Sequence, residues 1–151
     1  MQFDYPTNIC FDCNKCGLCC GDTENKIRHI ILLKSDAQRI SVFTGQAIKQ
    51  FAFKISGYKP YVYEMQKNLE TKKCIFLKKN KCTIYKQRPL ICRFYPFELR
   101  QEKNGKAIFK NTSECPGIKN NNCSDNKNTL NEKFFKELLE LAQLDLDNSI
   151  N

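Results

Sequence analysis

The sequence has no long apolar run, since no uninterrupted apolar piece is longer than Ile30–Leu33. A piece of that length is far too short to span a membrane. Residues 1–8 also lack the basic start and following apolar stretch that are typical of a secretion signal. We therefore expect a cytoplasmic chain without membrane association, in a compartment that keeps thiols reduced.

Several catalytic signatures are absent as well. The single histidine, His29, lies in an apolar context and is expected to be structural rather than a ligand or a base. The sequence contains no G-x-G-x-x-G fingerprint, no phosphate-binding loop, no Ser/His/Asp set and no carboxylate pair. Asp12, Asp22 and Glu24 are expected to be solvated. The sequence therefore leaves enzymatic activity undecided.

Cysteine, in contrast, is abundant, with ten in 151 residues. Five lie in the first twenty positions, namely Cys10, Cys13, Cys16, Cys19 and Cys20. Thiolates two residues apart in a tight turn converge on one point, as a metal ion or an iron–sulfur cluster requires. Because the number of cysteines is even, five disulfides are the alternative to metal binding. Adjacent cysteines and cysteines separated by two residues, however, have poor geometry for disulfides. Metal binding is the favoured interpretation.

The charge balance is basic, with 25 Lys and Arg against 16 Asp and Glu, a formal net charge of +9. Such a balance permits an acidic partner such as nucleic acid. The lysines are scattered through a Lys/Asn-rich sequence, so a solvated surface is expected and nucleic acid is not favoured. The length is sufficient for a hydrophobic core of ordinary size without disulfides.

The element pattern predicts a small single α+β domain that is rich in loops around the cysteines. It predicts a metal-chelating domain over 1–118, a polar linker over 119–128 and an amphipathic C-terminal helix over 129–151 that packs on the domain. That helix should run from Leu130 to about Leu146, with a capping box starting at Thr129.

Further elements are expected upstream. The sequence predicts a strand or connector over 26–34, a helix capped by Ser35 and ended by Gly45, a second short helix over 46–55, a strand over 61–65, a hairpin over 74–85, a helical turn starting at Arg88–Pro89 and carrying Cys92, and a strand over 107–110. In a strict hairpin, a loop with an odd number of residues would place Cys74 and Cys82 on the same face, whereas a two-residue loop would place them on opposite faces.

Eight of the ten cysteines belong to one longer pattern. It consists of CxxCGxCC at 13–20, cysteines at 74 and 82, Tyr-x-x-Arg-Pro-x-x-Cys-Arg at 85–93, Pro-Phe at 96–97 and Cys-Pro-Gly at 115–117. Over residues 10–117 the chain resembles the CxxCxxCC family, the YkgJ-like cysteine-cluster proteins, which are described as a zinc- or iron-chelating domain. The resemblance implies metal ligation by Cys13, Cys16, Cys19, Cys20, Cys74, Cys82, Cys92 and Cys115.

The family resemblance implies metal binding more firmly than any activity. Some relatives are named iron–sulfur oxidoreductases, and flagellin lysine-N-methylase carries a similar cluster. The radical-type spacing CxxxCxxC is absent, which disfavours radical chemistry.

Two metal sites are expected, because adjacent side chains point in different directions. The ferredoxin-like spacing groups Cys13, Cys16 and Cys19 with the remote Cys115, and the second site then takes Cys20, Cys74, Cys82 and Cys92. Cys10 could replace a ligand, and Cys123 is expected to be a spare thiol. Many other groupings of the thiols stay open.

Arg88 and Arg93 flank Cys92 and are candidates for cofactor binding, through hydrogen bonds to cluster sulfurs. A salt bridge to Glu98 is the alternative. Nearby aromatic side chains are expected to form a hydrophobic wall rather than a base-stacking platform, namely Tyr85, Phe94, Tyr95 and Phe97.

Both zinc and iron accept four thiolates, but CxxCxxC in one loop favours 4Fe–4S clusters, one or two per chain. The expected function is electron transfer, or an accessory role beside a redox or methyl-transfer partner protein. The alternatives are a zinc-structured interaction module and a protein that handles zinc or iron.

Overall fold

The computed structural model describes residues 2–120, 123 and 129–150. Three α-helices lie in this part of the chain, α1 Lys34–Thr44, α2 Leu90–Phe94 and α3 Glu132–Ile150. The strands described there, in chain order, are β1 Phe3–Asp4, β2 Ile9–Phe11, β3 Ile31–Leu32, β4 Ala52–Lys54, β5 Tyr63–Met65, β6 Leu77–Lys78, β7 Lys81–Cys82, β8 Phe97–Gln101, β9 Ala107–Asn111 and β10 Ile118–Asn120. Short 3₁₀ turns cover Leu18–Cys20, Ile48–Gln50 and Tyr85–Gln87.

This mixture of helices and small sheets, with a helix at the C-terminal end, confirms the predicted α+β class. Among the described residues, no helix combines the length and the apolar character needed to cross a membrane. The contacts divide the chain into two compact units.

The first unit consists of the residues up to Cys16 together with Phe94–Leu141. In it, β9 pairs in parallel with β1 and antiparallel with β8, while β2 pairs antiparallel with β10. Its core is aromatic. The fully buried ring of Phe135 lies 5.2 Å from that of Tyr5 and 5.0 Å from those of Phe97 and Phe109, measured between centroids. Rings at these separations gain edge and stacking contacts beyond simple burial.

The second unit consists of Gly17–Arg93 and the last turns of α3, from Ala142. Its three-stranded antiparallel sheet has the order β3-β5-β4, and β6 and β7 form a separate hairpin. A hydrophobic core of this unit is formed by Ile30, Leu32, Ile40, Phe51, Ala52, Met65, Phe76 and Ile84. Three cysteines pack against that core, Cys74, Cys82 and Cys92.

The start of α1 differs from the predicted Ser35 capping box. The backbone N–H of Leu33 donates to Oδ2 of Asp36 at 3.0 Å, so Asp36 provides the carboxylate that reaches back. The C-terminal end agrees with the prediction, since Gly45 lies in the left-handed region at φ 69°. The predicted second helix is reduced to the turn Ile48–Gln50, because the chain continues into the sheet as β4.

The start of α3 was also wrongly predicted. The helix begins at Glu132, and Oδ1 of Asn131 accepts from the backbone N–H of Phe134 at 3.2 Å. Asn131 is therefore the capping side chain. Thr129 instead forms an isolated antiparallel bridge with Cys10.

Candidate metal centre

Five cysteines form a cluster in the second unit, which we call the five-thiol cluster: Cys19, Cys20, Cys74, Cys82 and Cys92. The Sγ atoms of Cys19 and Cys20 are 3.7 Å apart. Mutual electrostatic effects connect the others, since the charge of Cys19 acts on the thiols of Cys74, Cys82 and Cys92. Three chain segments that are distant in sequence therefore bring their thiols together.

Gly21 allows the first of these segments to lie directly against the second. A Cβ atom at Gly21 would be 2.3 Å from the carbonyl oxygen of Lys72 and 2.7 Å from Cα of Lys73. This close approach lets the backbone N–H of Cys74 donate to the carbonyl of Cys20. Glycine is needed here for the space it leaves, and the contact brings Cys20 and Cys74 together. The sequence analysis missed this role.

The hairpin that carries Cys82 has a two-residue loop, Lys79–Asn80, both of whose residues have positive φ. A loop of this length would place Cys74 and Cys82 on opposite faces if both cysteines belonged to the hairpin. Cys74 lies outside the β6–β7 ladder and instead forms an isolated bridge with Lys67. The alternation of side chains between the two faces of the hairpin therefore does not set the direction of the Cys74 side chain. The thiol of Cys74 lies near the thiol of Cys82, whose charge raises its pKa.

A buried carboxylate fixes the third segment. Asp36 is fully buried, and its Oδ1 accepts from the backbone N–H of Leu90 at 3.1 Å and from Nη2 of Arg39 at 2.8 Å. The same Arg39 Nη2 donates to the carbonyl of Arg88 at 3.2 Å. These bonds attach the start of α2, and with it Cys92, to α1. The sequence analysis missed Asp36, although its place in the first turn of a helix was a signal.

The thiols that border the core resist ionisation. Burial raises the pKa of Cys74 to about 11, and it raises the pKa of Cys92 as well. Neighbouring thiolates add to both effects through charge repulsion. The thiol of Cys20 hydrogen-bonds the sulfur of Cys19, which lowers the pKa of Cys19 to about 6 and raises that of Cys20. Bound cationic metal would offset the charge repulsion between these thiolates.

Two guanidinium groups compensate part of the negative charge. The charges of Arg28 and Arg88 lower the pKa of Cys19, and that of Arg88 also acts on Cys82 and Cys92. Arg88 lies over the ring of Tyr85, with its Cζ atom 3.8 Å from the centroid. Arg28 was missed by the sequence analysis because it lies outside the cysteine pattern.

Arg93 has a supporting role in the structure. Its Nε donates to the carbonyl of Arg88 at 2.8 Å. The carboxylate considered as an alternative partner, Glu98, forms an ion pair with Arg100 at 3.0 Å.

The aromatic side chains expected to form a wall beside the cysteines are divided between the two units. Phe94 and Phe97 belong to the aromatic core of the first unit, while Tyr85, in the second unit, is 58% exposed.

Three further cysteines lie in the first unit, Cys13, Cys16 and Cys115, which we call the three-thiol cluster. Cys13 and Cys16 are exposed, and their charges raise the pKa of Cys115, although burial is the larger cause. Backbone hydrogen bonds at Gly117 and Ile118 act in the opposite direction. Gly117 also permits a close contact, because a Cβ atom there would be 2.4 Å from the carbonyl oxygen of Asp12.

The structure groups the thiols differently from the ferredoxin-like expectation. Cys19 was expected beside Cys13, Cys16 and Cys115, yet it lies with Cys20 in the five-thiol cluster. Cys19 and Cys20 are the last two residues of the 3₁₀ turn Leu18–Cys20, and their Sγ atoms are 3.7 Å apart. The two adjacent thiols thus lie together in this structure, and the metal site that each of them serves stays a prediction.

The two remaining cysteines form a disulfide, Cys10–Cys123. The expectations that Cys10 could replace a ligand and that Cys123 is a spare thiol were wrong. Pairing between β2 and β10 places Cys10 opposite Lys119, four positions before Cys123 in the sequence. The eight cysteines outside the disulfide are free thiols, and they are the eight of the longer pattern.

The chemistry of the donors fits a thiolate metal site. Zinc and iron–sulfur clusters both take four cysteine thiolates. In the described residues, however, no three cysteine, histidine or acidic side chains converge closely enough to hold a single ion as they stand. The five-thiol cluster thus provides enough ligands, spread over a wider space than one tetrahedral ion occupies.

The fold and the site define a cysteine-thiolate metal-binding protein. Residues 12–129 match the model of the CxxCxxCC family, described as "Putative zinc- or iron-chelating domain", and the chain belongs to that family. A similar protein is the uncharacterized protein MJ0661 of Methanocaldococcus jannaschii, which is 34% identical over 116 residues. That alignment covers 72% of this chain and 57% of the relative's length. No solved structure matches the chain.

Proposed function

We propose that this chain is an iron–sulfur protein that acts in electron transfer, or as an accessory to a redox or methyl-transfer enzyme. The five-thiol cluster would supply four thiolates to a 4Fe–4S centre. The observation that carries the proposal is the gathering of five thiols at the edge of an apolar core, beside two arginine charges.

The spread of the thiols supports a cluster over a single ion. In a 4Fe–4S centre each thiolate binds a different iron, so the four sulfurs need not converge on one point. The thiols of the five-thiol cluster are gathered without such convergence. When bound, the centre would supply one-electron redox chemistry, at a potential set by charge, hydrogen bonds to sulfur and exposure.

The residues around the thiols suit a redox role. Cys74, Cys82 and Cys92 border the core, which limits the access of water to that side of the cluster. The charges of Arg28 and Arg88 would stabilise the more negative, reduced state of a bound centre.

The three-thiol cluster supports a second centre. Three protein ligands leave one coordination position for a ligand from outside the protein, the pattern of reactive rather than structural sites. Cys13 and Cys16 are exposed, so such a position would be open to solvent.

Zinc is the second candidate, and one distance favours it. The Cys19–Cys20 Sγ separation is 3.7 Å. A tetrahedral ion with Zn–S bonds of about 2.3 Å has sulfurs about 3.8 Å apart. In that case the cluster would hold the fold together, and the chain would be an interaction module or a metal-handling protein.

Absorption and electron paramagnetic resonance spectra of anaerobically purified protein test the proposal. We expect a broad band near 400 nm that dithionite bleaches, and a reduced spectrum typical of a 4Fe–4S centre. The variant Cys92→Ser should lose most of that signal, while Cys123→Ser, outside both thiol clusters, should keep it. A colourless, metal-replete protein would contradict the iron–sulfur proposal and favour zinc.

A further inference from the structure

The positive charge of the chain is concentrated in one segment. Residues 71–93 contain eight of the 25 Lys and Arg residues and none of the 16 Asp and Glu residues. The other residues carry 17 basic and 16 acidic side chains, so this segment accounts for eight of the nine net positive charges. The same segment carries Cys74, Cys82 and Cys92. The lysines are scattered along the chain, but most of their excess over acidic residues lies in this segment.

The tip of the β6–β7 hairpin carries charge at a cost to stability. Lys78 and Lys81 are paired directly across the two strands, and like charges in that relation repel. Lys79 takes a left-handed conformation at φ 49°, which a residue with a Cβ atom rarely adopts. A tip chosen for stability alone would place Asn-Gly or Asp-Gly there.

Nothing in the described part of the chain offsets this repulsion. Lys78, Lys79, Lys81 and Lys86 are all exposed, and among the described residues their ammonium groups form no ion pair or side-chain hydrogen bond. Features that break local rules without a compensating contact are expected at functional sites.

The charged tip lies beside the five-thiol cluster. Lys81 precedes Cys82 in β7, and Cys82 pairs with Leu77 across the hairpin. The tip also approaches the turn that carries Cys19, since Oδ1 of Asn80 lies 3.5 Å from the position that a Cβ atom at Gly17 would take. A partner on the tip would thus approach the thiols on their solvent side.

We propose that Lys78, Lys79, Lys81 and Lys86 form a docking surface for an acidic one-electron carrier protein. The proposal rests on the proposed function for its redox step, in which the carrier loses one electron and the bound centre gains it. Electrostatic attraction would bring the acidic surface of the carrier to the lysines and so place its redox group near the five-thiol cluster.

The composition of the surface favours a protein over nucleic acid. All four exposed cations are lysines, which are hydrated point charges suited to a brief encounter rather than to bidentate contacts with phosphate. The exposed aromatic ring beside them, Tyr85, already lies under the guanidinium of Arg88 and offers no free face on that side for a stacked base. Small, weak and salt-sensitive interfaces are typical of electron-transfer partners.

Binding of two acidic carriers, a flavodoxin and a plant-type 2Fe–2S ferredoxin, tests the proposal. Labelled carrier is titrated by fluorescence anisotropy with the full chain at low and at moderate salt. The test variant is Lys78→Glu/Lys79→Glu/Lys81→Glu. The matched control, Lys49→Glu/Lys54→Glu/Lys59→Glu, makes the same charge change at exposed lysines of the same unit. A labelled 20-mer duplex DNA is titrated in parallel, and the metal content of each protein is measured.

We expect the test variant to weaken carrier binding by at least about tenfold and the control by less than about twofold, with both effects shrinking as salt rises. A milder triple Lys→Gln variant should fall between the wild type and the test variant. The docking proposal would be overturned if the test variant and the control variant weakened carrier binding equally, or if the wild type bound neither carrier. It would also be overturned if the wild type bound the DNA more tightly than the carriers and the test variant abolished that DNA binding. If the purified protein holds zinc and still binds a carrier, the docking surface is supported and the iron–sulfur function is contradicted. Failure of the docking proposal can therefore be distinguished from failure of the proposed function.

Discussion

The carboxylate of Asp36 accepts a hydrogen bond from the backbone N–H of Leu90 at 3.1 Å, across 54 positions of sequence. Through this bond the first turn of α1 fixes the start of α2, two residues before Cys92. The position of Cys92, a proposed metal ligand, thus depends on a carboxylate outside the cysteine pattern.

Replacing Asp36 by Ala should therefore lower the free energy of unfolding by more than the loss of one local contact would. The substitution leaves the N–H groups of Leu33 and Leu90 and the guanidinium of Arg39 without their buried partner. Removing one member of a buried ion pair typically costs about 3–5 kcal/mol. We expect a loss of that size in the free energy of unfolding, measured by urea denaturation. Glu98→Ala, which removes the exposed pair with Arg100, should cost less than about 1 kcal/mol. Equal losses in the two variants would contradict this role of Asp36.

Gly21→Ala should disrupt metal binding through the backbone. The added Cβ atom would lie 2.3 Å from the carbonyl oxygen of Lys72, so the two segments must separate and carry Cys20 away from Cys74. We expect a clear loss of bound metal, measured per chain by mass spectrometry. Gly57→Ala is the control, since φ there is 84° but no atom lies within 4 Å of the added Cβ. It should lose about 1 kcal/mol of stability from backbone strain and keep its metal. Full metal content in Gly21→Ala would disprove the proposed contact.

The two thiol clusters should respond separately to substitution. Cys74→Ser, Cys82→Ser and Cys92→Ser should form one group in their loss of metal, while Cys13→Ser and Cys115→Ser form another, because the thiols lie in different compact units. Cys19→Ser should follow the first group. A Cys19→Ser variant whose spectroscopic losses match those of Cys13→Ser would restore the ferredoxin-like grouping.

Metal affinity should rise with pH. Before metal binds, burial keeps the thiols of Cys74 and Cys92 protonated at neutral pH, since it raises the pKa of both. Binding must therefore displace protons, so the apparent affinity increases as pH approaches those raised pKa values. Calorimetric titration of the metal-free protein with Zn²⁺ in buffers of different ionisation enthalpy should show that these two thiols release their protons at pH 7 and at pH 9 alike, because pH 9 still lies below the pKa of about 11 of Cys74. Zinc binding without proton release at pH 7 would contradict the protonated state.

The sequence predicted the parts of the site that depend on local spacing. The eight-cysteine pattern, the turn that carries Cys92 and the strands at 63–65 and 107–111 follow from cysteine spacing, proline and alternation. It did not predict which thiols meet, because that depends on a close backbone approach at Gly21 and on the buried Asp36. Nor did it predict the disulfide of Cys10, which depends on the pairing of β2 with a strand more than 100 residues away.

The most direct test of the central claim is a count of iron, zinc and acid-labile sulfide per chain in anaerobically purified protein. For each filled 4Fe–4S centre we predict about four iron atoms and about four sulfides, with zinc well below one equivalent. Stoichiometric zinc without sulfide would contradict the iron–sulfur account and leave the thiolate metal site in place. A protein without bound metal in any preparation would contradict both.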